Sequence, residues 1–406
     1  MTVEFPNLRH LRAFKEVAER QSVSAAAAHV HLSQPAVTQA IGGLESRLEL
    51  SLFDRRAEGM FATSAGQVFL TRVQRMFDHL ESGSRQATQS AKAKSRGADT
   101  SFLHKISASQ LRALIAIWET GSFSLAARKV GIAQPSVHRA ARDLEKLAGV
   151  TFYTMSRKGV DLTQAAEDFA RSVKIAAAEL QQGYDEITLS RGQDSTRITV
   201  GSMPLSRTSI LPQSIHDLMK ENAGVQIRTV EGPYDELLRS LRYGDLDFLI
   251  GAMRDPAPSD DVLQETLFDD PLAIVAGPQH PLAGRNNLTL KDAMQFPWIA
   301  PPRTTPSGSY LYRRLGIGGL DNTPVRVVSS SLVLIRGLLA RGDYVTIMSR
   351  HQIAIERAEG LMVPLDIALP SSLRGIGVTT RDGWMPTPTQ ARFLDLVRAA
   401  ATTPYT

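Results

Sequence analysis

The sequence predicts an α/β multidomain chain: two winged helix-turn-helix domains, each with a linker helix, followed by two small α/β lobes with a crevice between them. Three observations carry this expectation. Residues 11–66 align without a gap on residues 111–166, with 18 of the 56 positions identical, where chance gives about three. Each copy shows helical spacing of apolar residues broken by a tight turn. After Arg191-Gly192-Gln193-Asp194 the texture changes to strands alternating with helices, the signature of a sheet with crossover helices.

In the first copy, Leu8, Leu11, Phe14, Val17 and Ala18 make one amphipathic helix. Ser24 is expected to cap a short helix over Ala25–Val30. Ser33 is expected to cap a third, with Pro35 in the first turn, where a missing N–H is tolerated. Leu52-Phe53 and Met60-Phe61-Ala62 read as two short strands of a wing around Arg55–Gly59. A long helix over Ser64–Ser90 carries Phe69, Val73, Met76 and Leu80 in a seam repeated by Phe169, Val173, Ala176 and Leu180. Such a seam seeks another helix; packing on its own domain is the plainer alternative. The resulting domain boundaries are 5–65, 66–92 (linker helix), 93–104 (a flexible linker of mixed charge), 105–165, 166–192 (second linker helix) and 195–406.

In the last of these, strands are expected at Ile198–Gly201, Val225–Val230, Phe248–Gly251, Leu272–Ala276, Trp298–Ala300, Val325–Val328 and Tyr344–Met348. Helices fall at Ile210–Lys220, Tyr234–Tyr243, Leu332–Ala340 and about Pro388–Ala401. The β-α-β-α-β order implies parallel strands. Lobe one takes about 195–268 and 370–406, lobe two about 270–369.

A length of 406 residues suits about three domains. No apolar run approaches a membrane span, and no basic-then-apolar start marks secretion. The absence of cysteine removes disulfides and thiolate metal sites and suits the cytoplasm. Residues 1–190 hold 24 Lys+Arg against 19 Asp+Glu, whereas the remainder holds 22 of each. The surplus of positive charge therefore lies on the duplicated half, a mild footprint for a polyanion.

The start of the third helix of a helix-turn-helix enters the major groove. In copy one this places Gln34, Pro35, Thr38 and Gln39 at the bases, with Arg55 on the wing. In copy two the equivalents are Gln134, Pro135, His138 and Arg139, with Arg157 and Lys158 displaced along the wing. Gln suits adenine and Arg suits guanine. Copy two has Met155 and Ser156 where copy one has Arg55 and Arg56, so a second copy that only packs stands as an alternative.

These residues resemble the LysR-type transcriptional regulators. The resemblance rests on Leu11-Arg12-Ala13-Phe14, Ser24-Ala25-Ala26-Ala27, Ser33-Gln34-Pro35-Ala36-Val37-Thr38, Leu44-Glu45, Leu52-Phe53-Asp54-Arg55 and Thr63-Ser64-Ala65-Gly66. It implies a winged helix-turn-helix, a linker helix that pairs with another, and a two-lobed effector-binding domain like periplasmic binding proteins. The departures are the extra copy, the lack of Leu-Phe-x-Arg in that copy, and Glu49 where the family has glycine, which Gly149 keeps.

The resemblance puts a small-molecule site between the lobes, in agreement with the rule that ligands lie beyond the carboxyl ends of strands. Ser202, Met203 and Ser206 follow the first strand, Pro302, Arg303, Thr304, Thr305 and Ser307 follow Trp298–Ala300, and Ser329 to Ser331 precede the helix at Leu332. Hydroxyls and helix-start amides suit a carboxylate or sugar-like effector, and Arg303 could pair with a carboxylate. The partners expected are an operator in double-stranded DNA, this effector, further copies of the chain and RNA polymerase, with no membrane, no metal and no cofactor. An α/β half that serves only assembly, without an effector, is the alternative. An enzyme is not expected, since no catalytic triad spacing, phosphate loop or metal cluster is legible.

Overall fold

The computed structural model describes residues 5–92, 100–157, 159–319 and 323–402. The chain divides into two compact units, Met1–Arg197 with Tyr243–Asp245, and Ile198–Arg242 with Leu246–Thr406. Of the linker expected over 93–104, residues 93–99 lie outside the described ones, and Thr100–His104 forms a 3-10 turn.

The first unit repeats one design. Helices α1 (Leu8–Arg20), α2 (Val23–Val30) and α3 (Gln34–Leu48) are followed by the hairpin β1 (Phe53–Arg56) and β2 (Gly59–Ala62), then by α4 (Ser64–Lys92). The second copy gives α5 (Ala108–Thr120), α6 (Phe123–Val130), α7 (Gln134–Ala148), β3 (Tyr153–Ser156), β4 (Gly159–Leu162) and α8 (Gln164–Ser190). Helix α2 begins two residues before the position expected, because Ser22, not Ser24, is its cap: Ser22 Oγ accepts from the Ala25 N–H. Ser33 caps α3 as expected, accepting from the Ala36 N–H, whereas Ala133 leaves α7 with no side-chain cap.

The seam residues are all buried, Phe69, Val73 and Met76 on α4 and Phe169, Val173, Ala176 and Leu180 on α8 at 0% exposure, with Leu80 at 1%. Both uses foreseen for the seam occur. Phe69 meets Phe14 of its own head at 5.4 Å and Tyr184 of α8 at 5.6 Å. The two long helices run antiparallel, since Phe69 meets Tyr184, Arg72 meets Gly183, Arg75 meets Glu179 and Gly83 meets Ser172. They are one another's main packing partner.

In the second unit, lobe one is a five-stranded sheet of β5 (Arg197–Ser202), β6 (Gln226–Val230), β7 (Phe248–Ala252), β8 (Val262–Asp270) and β14 (Arg374–Arg381), in the order β6-β5-β7-β14-β8. It is flanked by α9 (Ile210–Glu221), α10 (Tyr234–Arg242) and α15 (Pro388–Thr402). Lobe two orders β9 (Leu272–Ala276), β10 (Trp298–Ala300), β11 (Val325–Val328), β12 (Val345–Ser349) and β13 (Val363–Pro364) as β11-β10-β12-β9-β13. Its helices are α11 (Leu290–Ala293), α12 (Pro306–Ser309), α13 (Leu332–Leu339) and α14 (Ala354–Ala358). The sheets are mixed rather than all parallel: β5 and β7 are parallel, but β14 runs antiparallel to both its neighbours, as β9 does to β12. Strand β14 closes lobe one from far along the chain, which no local period announces.

Candidate nucleic-acid interface and effector cleft

Head one is assembled around Glu45. Its Oε1 accepts from the backbone N–H groups of Leu52 (2.8 Å) and Phe53 (3.2 Å), so the recognition helix α3 holds the root of the wing. A carboxylate suits the place because both N–H donors converge on one of its oxygens, and charge-assisted bonds of this kind are about twice as strong as neutral ones. Glu145 does the same for Phe152 (2.8 Å) and Tyr153 (3.1 Å). The repeated Leu-Glu pair is thereby explained: one residue faces the core and its neighbour fastens the wing.

The hairpin is pinned at its far end as well. The Met60 N–H donates to Gln21 O (3.0 Å), and a Cβ on Gly59, whose φ is +149°, would lie 2.4 Å from that oxygen. Gly159 stands in the same relation to Gly121 O, at 2.5 Å. Only glycine admits so close a backbone approach.

Gln34, Pro35, Thr38 and Gln39 are all exposed on the first two turns of α3. Gln34 and Thr38 line a groove with Arg55, Arg56, Glu58 and Ser24, between recognition helix and wing. Arg56 lies over the Phe61 ring at 5.1 Å and 3.7 Å from Asp54, leaving Arg55 and Arg56 both exposed on the hairpin. In head two Gln134, Pro135, His138 and Arg139 are exposed and form a shared concavity. The His138 ring packs against Phe123 at 4.9 Å, an arrangement that Val23 and Thr38 do not reproduce. Arg157 is exposed on the second wing, and Lys158 lies outside the described residues.

A cleft lies between the lobes of the second unit. Lobe one supplies Met203, Leu205, Ala252, Arg374 and Ile376, and lobe two supplies Pro301, Thr305, Pro306, Ser307, Ser330, Ile347, Met348 and Gln352. Gly251 leaves the space that Met203 fills, for a Cβ there would lie 2.3 Å from Met203 Cγ. Asp270, 1% exposed, organises the floor of the cleft where β8 passes into β9. Its Oδ2 accepts from Arg374 Nε (3.2 Å) and Nη2 (3.0 Å), and its Oδ1 accepts from Ser349 Oγ (2.7 Å). Ser349 Oγ in turn accepts from the Gln352 N–H at 3.0 Å.

Of the effector-site residues expected from the sequence, Met203, Thr305, Ser307 and Ser330 line this cleft. The structure does not bring the others to it. Ser202 is buried with its hydroxyl directed to Val230 O, and Ser206 is buried, donating to Met203 O. Arg303 is exposed with its guanidinium over Tyr312 at 4.2 Å, Thr304 is exposed, and Ser329 Oγ accepts from the Ser331 N–H. The bonds of Ser206 and Ser329 are turn contacts, formed because short hydroxyl side chains satisfy local backbone groups, whereas Ser202 bonds across to the neighbouring strand β6. Arg374 and Gln352 escaped the sequence reading because β14 and the turn after β12 follow neither strand used to place the site.

Among the described residues no helix is long and apolar enough to cross a membrane, and no cluster of three or more metal-ligating side chains occurs.

Comparison with known proteins agrees with this architecture. Residues 8–67 and again 108–167 match the family described as bacterial regulatory helix-turn-helix protein, lysR family, and residues 191–402 match the LysR substrate binding domain. The HTH-type transcriptional regulator GalR of Pseudomonas putida is 33% identical over 400 residues, covering 98% of each chain, so that alignment spans both copies. The HTH-type transcriptional regulator PcaQ of Agrobacterium fabrum is 24% identical over 291 residues, covering 94% of its own length but 72% of this chain. In fold the chain is similar to a full-length OxyR variant from Pseudomonas aeruginosa, with a TM-score of 0.51 at 20% identity, covering 72% of this chain and 93% of that one. Regulators of this family bind DNA and small-molecule effectors and form oligomers. The chain belongs to the LysR family: it is a sequence-specific DNA-binding transcriptional regulator, not an enzyme, that responds to a small-molecule effector and carries the family's helix-turn-helix twice.

Proposed function

We propose that both heads read DNA, that they do so at an operator in the cytoplasm, and that the effector is a carboxylate with an apolar body. The observation that carries the first part is the matched exposure of Gln34, Pro35, Thr38 and Gln39 on α3 and of Gln134, Pro135, His138 and Arg139 on α7. Each set sits on the first two turns of a helix whose equivalent glutamate, Glu45 or Glu145, fastens the wing. Arg55 and Arg157, exposed on the two hairpins, serve the flanking phosphates, contacts that position the protein without reading sequence. RNA polymerase is the further partner that control of transcription requires.

The cleft supports the effector class by its lining. Met203, Leu205, Ile347, Met348 and Ile376 offer an apolar wall, while Ser307, Ser330, Gln352 and Arg374 converge on it with polar groups. Apolar walls with few placed polar groups suit a small organic ligand, and the wall favours an apolar body over a sugar. Closure of the lobes around the effector is the step that alters DNA binding. Footprinting of the full chain on its own promoter, with and without aromatic and aliphatic carboxylates, tests the whole reading. Protection that changes with a carboxylate and fails to change in Arg374→Ala supports it. Protection indifferent to every bound ligand overturns the effector half, and no protection at all overturns the DNA half.

A further inference from the structure

Helices α4 and α8 are related by an approximate two-fold axis. Arg72 lies over Gly183, and its equivalent Ser172 lies over Gly83: a Cβ on Gly183 would be 3.0 Å from Arg72 Cβ, and one on Gly83 would be 2.3 Å from Ser172 Cβ. The equivalent residues His79 and Glu179 face each other across that axis at 3.8 Å. Sterically the arrangement is that of a pair of identical helices.

In charge the symmetry is broken. Arg72 is fully buried, and Glu179 on α8 has 4% of its side chain exposed. Arg72 Nη1 donates to Glu179 Oε2 (2.9 Å) and Gln182 Oε1 (2.8 Å), and Nε donates to Glu186 Oε2 (3.0 Å). Arg75 Nη2 donates to the other oxygen of Glu179 at 2.7 Å. The residues of α4 equivalent to Glu179, Gln182 and Glu186 are His79, Ser82 and Gln86, and the residue of α8 equivalent to Arg72 is Ser172. Two copies of α4 in this geometry would bury two arginines facing no carboxylate. Two copies of α8 would bring together four carboxylates, the two of Glu179 buried and the two of Glu186 half-buried, facing no arginine. Removing the partner of a buried charge is strongly unfavourable, and a polar group in a helix seam selects the partner at the cost of some stability. Only α4 against α8 satisfies the cluster.

The heads held by this seam differ where they meet DNA: Thr38-Gln39 on α3, His138-Arg139 on α7, Arg55 and Arg56 on one wing, Met155 and Ser156 on the other. We propose that the Arg72–Glu179–Glu186 cluster makes the two linker helices an obligate unlike pair, so that one chain presents its heads in a fixed order to a non-palindromic operator. This rests on the reading that both heads bind DNA. The half-site facing α3 is A·T-leaning, through Gln34 and Gln39, and the half-site facing α7 contains a guanine read by Arg139.

Selection of bound sequences from randomised short duplexes by the full chain, with native mass spectrometry of the complex, tests the proposal. The expected result is two dissimilar half-sites in constant order, one duplex per chain, and loss of the guanine from one half-site only in the double variant His138→Thr, Arg139→Gln. A palindrome bound by two chains per duplex overturns the ordered pair while leaving DNA reading intact; no enriched sequence removes both. The cluster itself is tested by charge exchange within one chain. Arg72→Glu, and separately Glu179→Arg with Glu186→Arg, should each weaken operator binding at least about tenfold, and the three substitutions combined in one chain should recover most of it. In the combined variant the seam again joins cations to a carboxylate, and this recovery remains measurable if neither partial variant folds. Full binding by each partial variant, or no recovery when they are combined, overturns the role of the cluster.

Discussion

Gly83 of α4 is opposed to Ser172 of α8 so closely that the methyl group of an alanine would lie 2.3 Å from Ser172 Cβ. Gly42 and Gly43, in the interior of α3, have nothing within 4 Å of the same built atom. Two kinds of helical glycine therefore exist in one repeat. Gly83→Ala should destabilise the chain by about 1–3 kcal/mol, the usual range for overpacking. Gly42→Ala or Gly43→Ala should stabilise it by about 0.5–1 kcal/mol through helix propensity. Thermal unfolding of the variants separates the two cases by sign.

The glutamates that fasten the wings make a second contrast. Glu45→Ala strands the N–H groups of Leu52 and Phe53, and the cost should be about 1–3 kcal/mol for each donor left without a partner. Glu45→Gln keeps an accepting oxygen and should cost less. Hydrogen exchange at Leu52 and Phe53 should quicken most in Glu45→Ala, and the same holds for Phe152 and Tyr153 in Glu145→Ala.

The linker seam should be acid-sensitive. Burial pushes the Glu179 carboxyl up, but the nearby His79 and the hydrogen bonds from Arg75 and Arg72 outweigh it and hold the group down at about 2. A depressed carboxyl stabilises the fold fully above its unfolded-state value, and that stability drains away as pH falls through the folded value. Stability of order 3 kcal/mol should therefore be lost between about pH 4.5 and pH 2. Denaturant unfolding across that window should show a steeper loss in the parent chain than in Glu179→Gln.

Glu49 ends α3 in the left-handed region, at φ 54°, where Gly149 ends α7 at φ 63°. Arg191 pairs with the Glu49 carboxylate and donates to Leu48 O at 3.3 Å. Glu49→Gly should relieve backbone strain of about 1 kcal/mol and lose an exposed ion pair worth less than about 1 kcal/mol. The unfolding midpoint should thus stay the same or rise slightly, whereas Arg191→Ala alone should lower it.

Arg139→Ala should weaken binding to one half-site by about 1–3 kcal/mol, the worth of a good base contact. Binding titrations on duplexes with that guanine replaced should show no further loss in the variant. A loss spread evenly over all duplexes would assign Arg139 to phosphate.

The two heads were legible in the sequence because their information is local: caps, seam residues and the Gln-Pro helix start all lie within a turn or two of what they specify. The repeat added a check, since Phe69 and Phe169, or Gly59 and Gly159, had to mean the same thing twice. The cap of α2 was misplaced by two residues because Ser22 and Ser24 have equal propensity for the role, and the choice falls to where the helix enters the core. In the α/β half the strands were legible as apolar runs, but their partners were not. Arg374 reaches the cleft on β14, which joins β7 across more than a hundred residues of chain, and Asp270 holds it from the crossing between lobes. The hydroxyls placed at the site from strand order alone, Ser202 and Ser206, turned inward to backbone carbonyls.

The pairing of α4 with α8 also changes how this regulator answers to its own abundance. Two separate subunits must collide before either can grip a bipartite site, so their occupancy falls with the square of dilution. A tether between the halves replaces that collision by an internal equilibrium, set by a local concentration in the millimolar range for short linkers. A cell holding only a few copies would then retain a fully assembled reading head, and a substitution in one recognition helix would retune half of the operator while leaving the other half as it was.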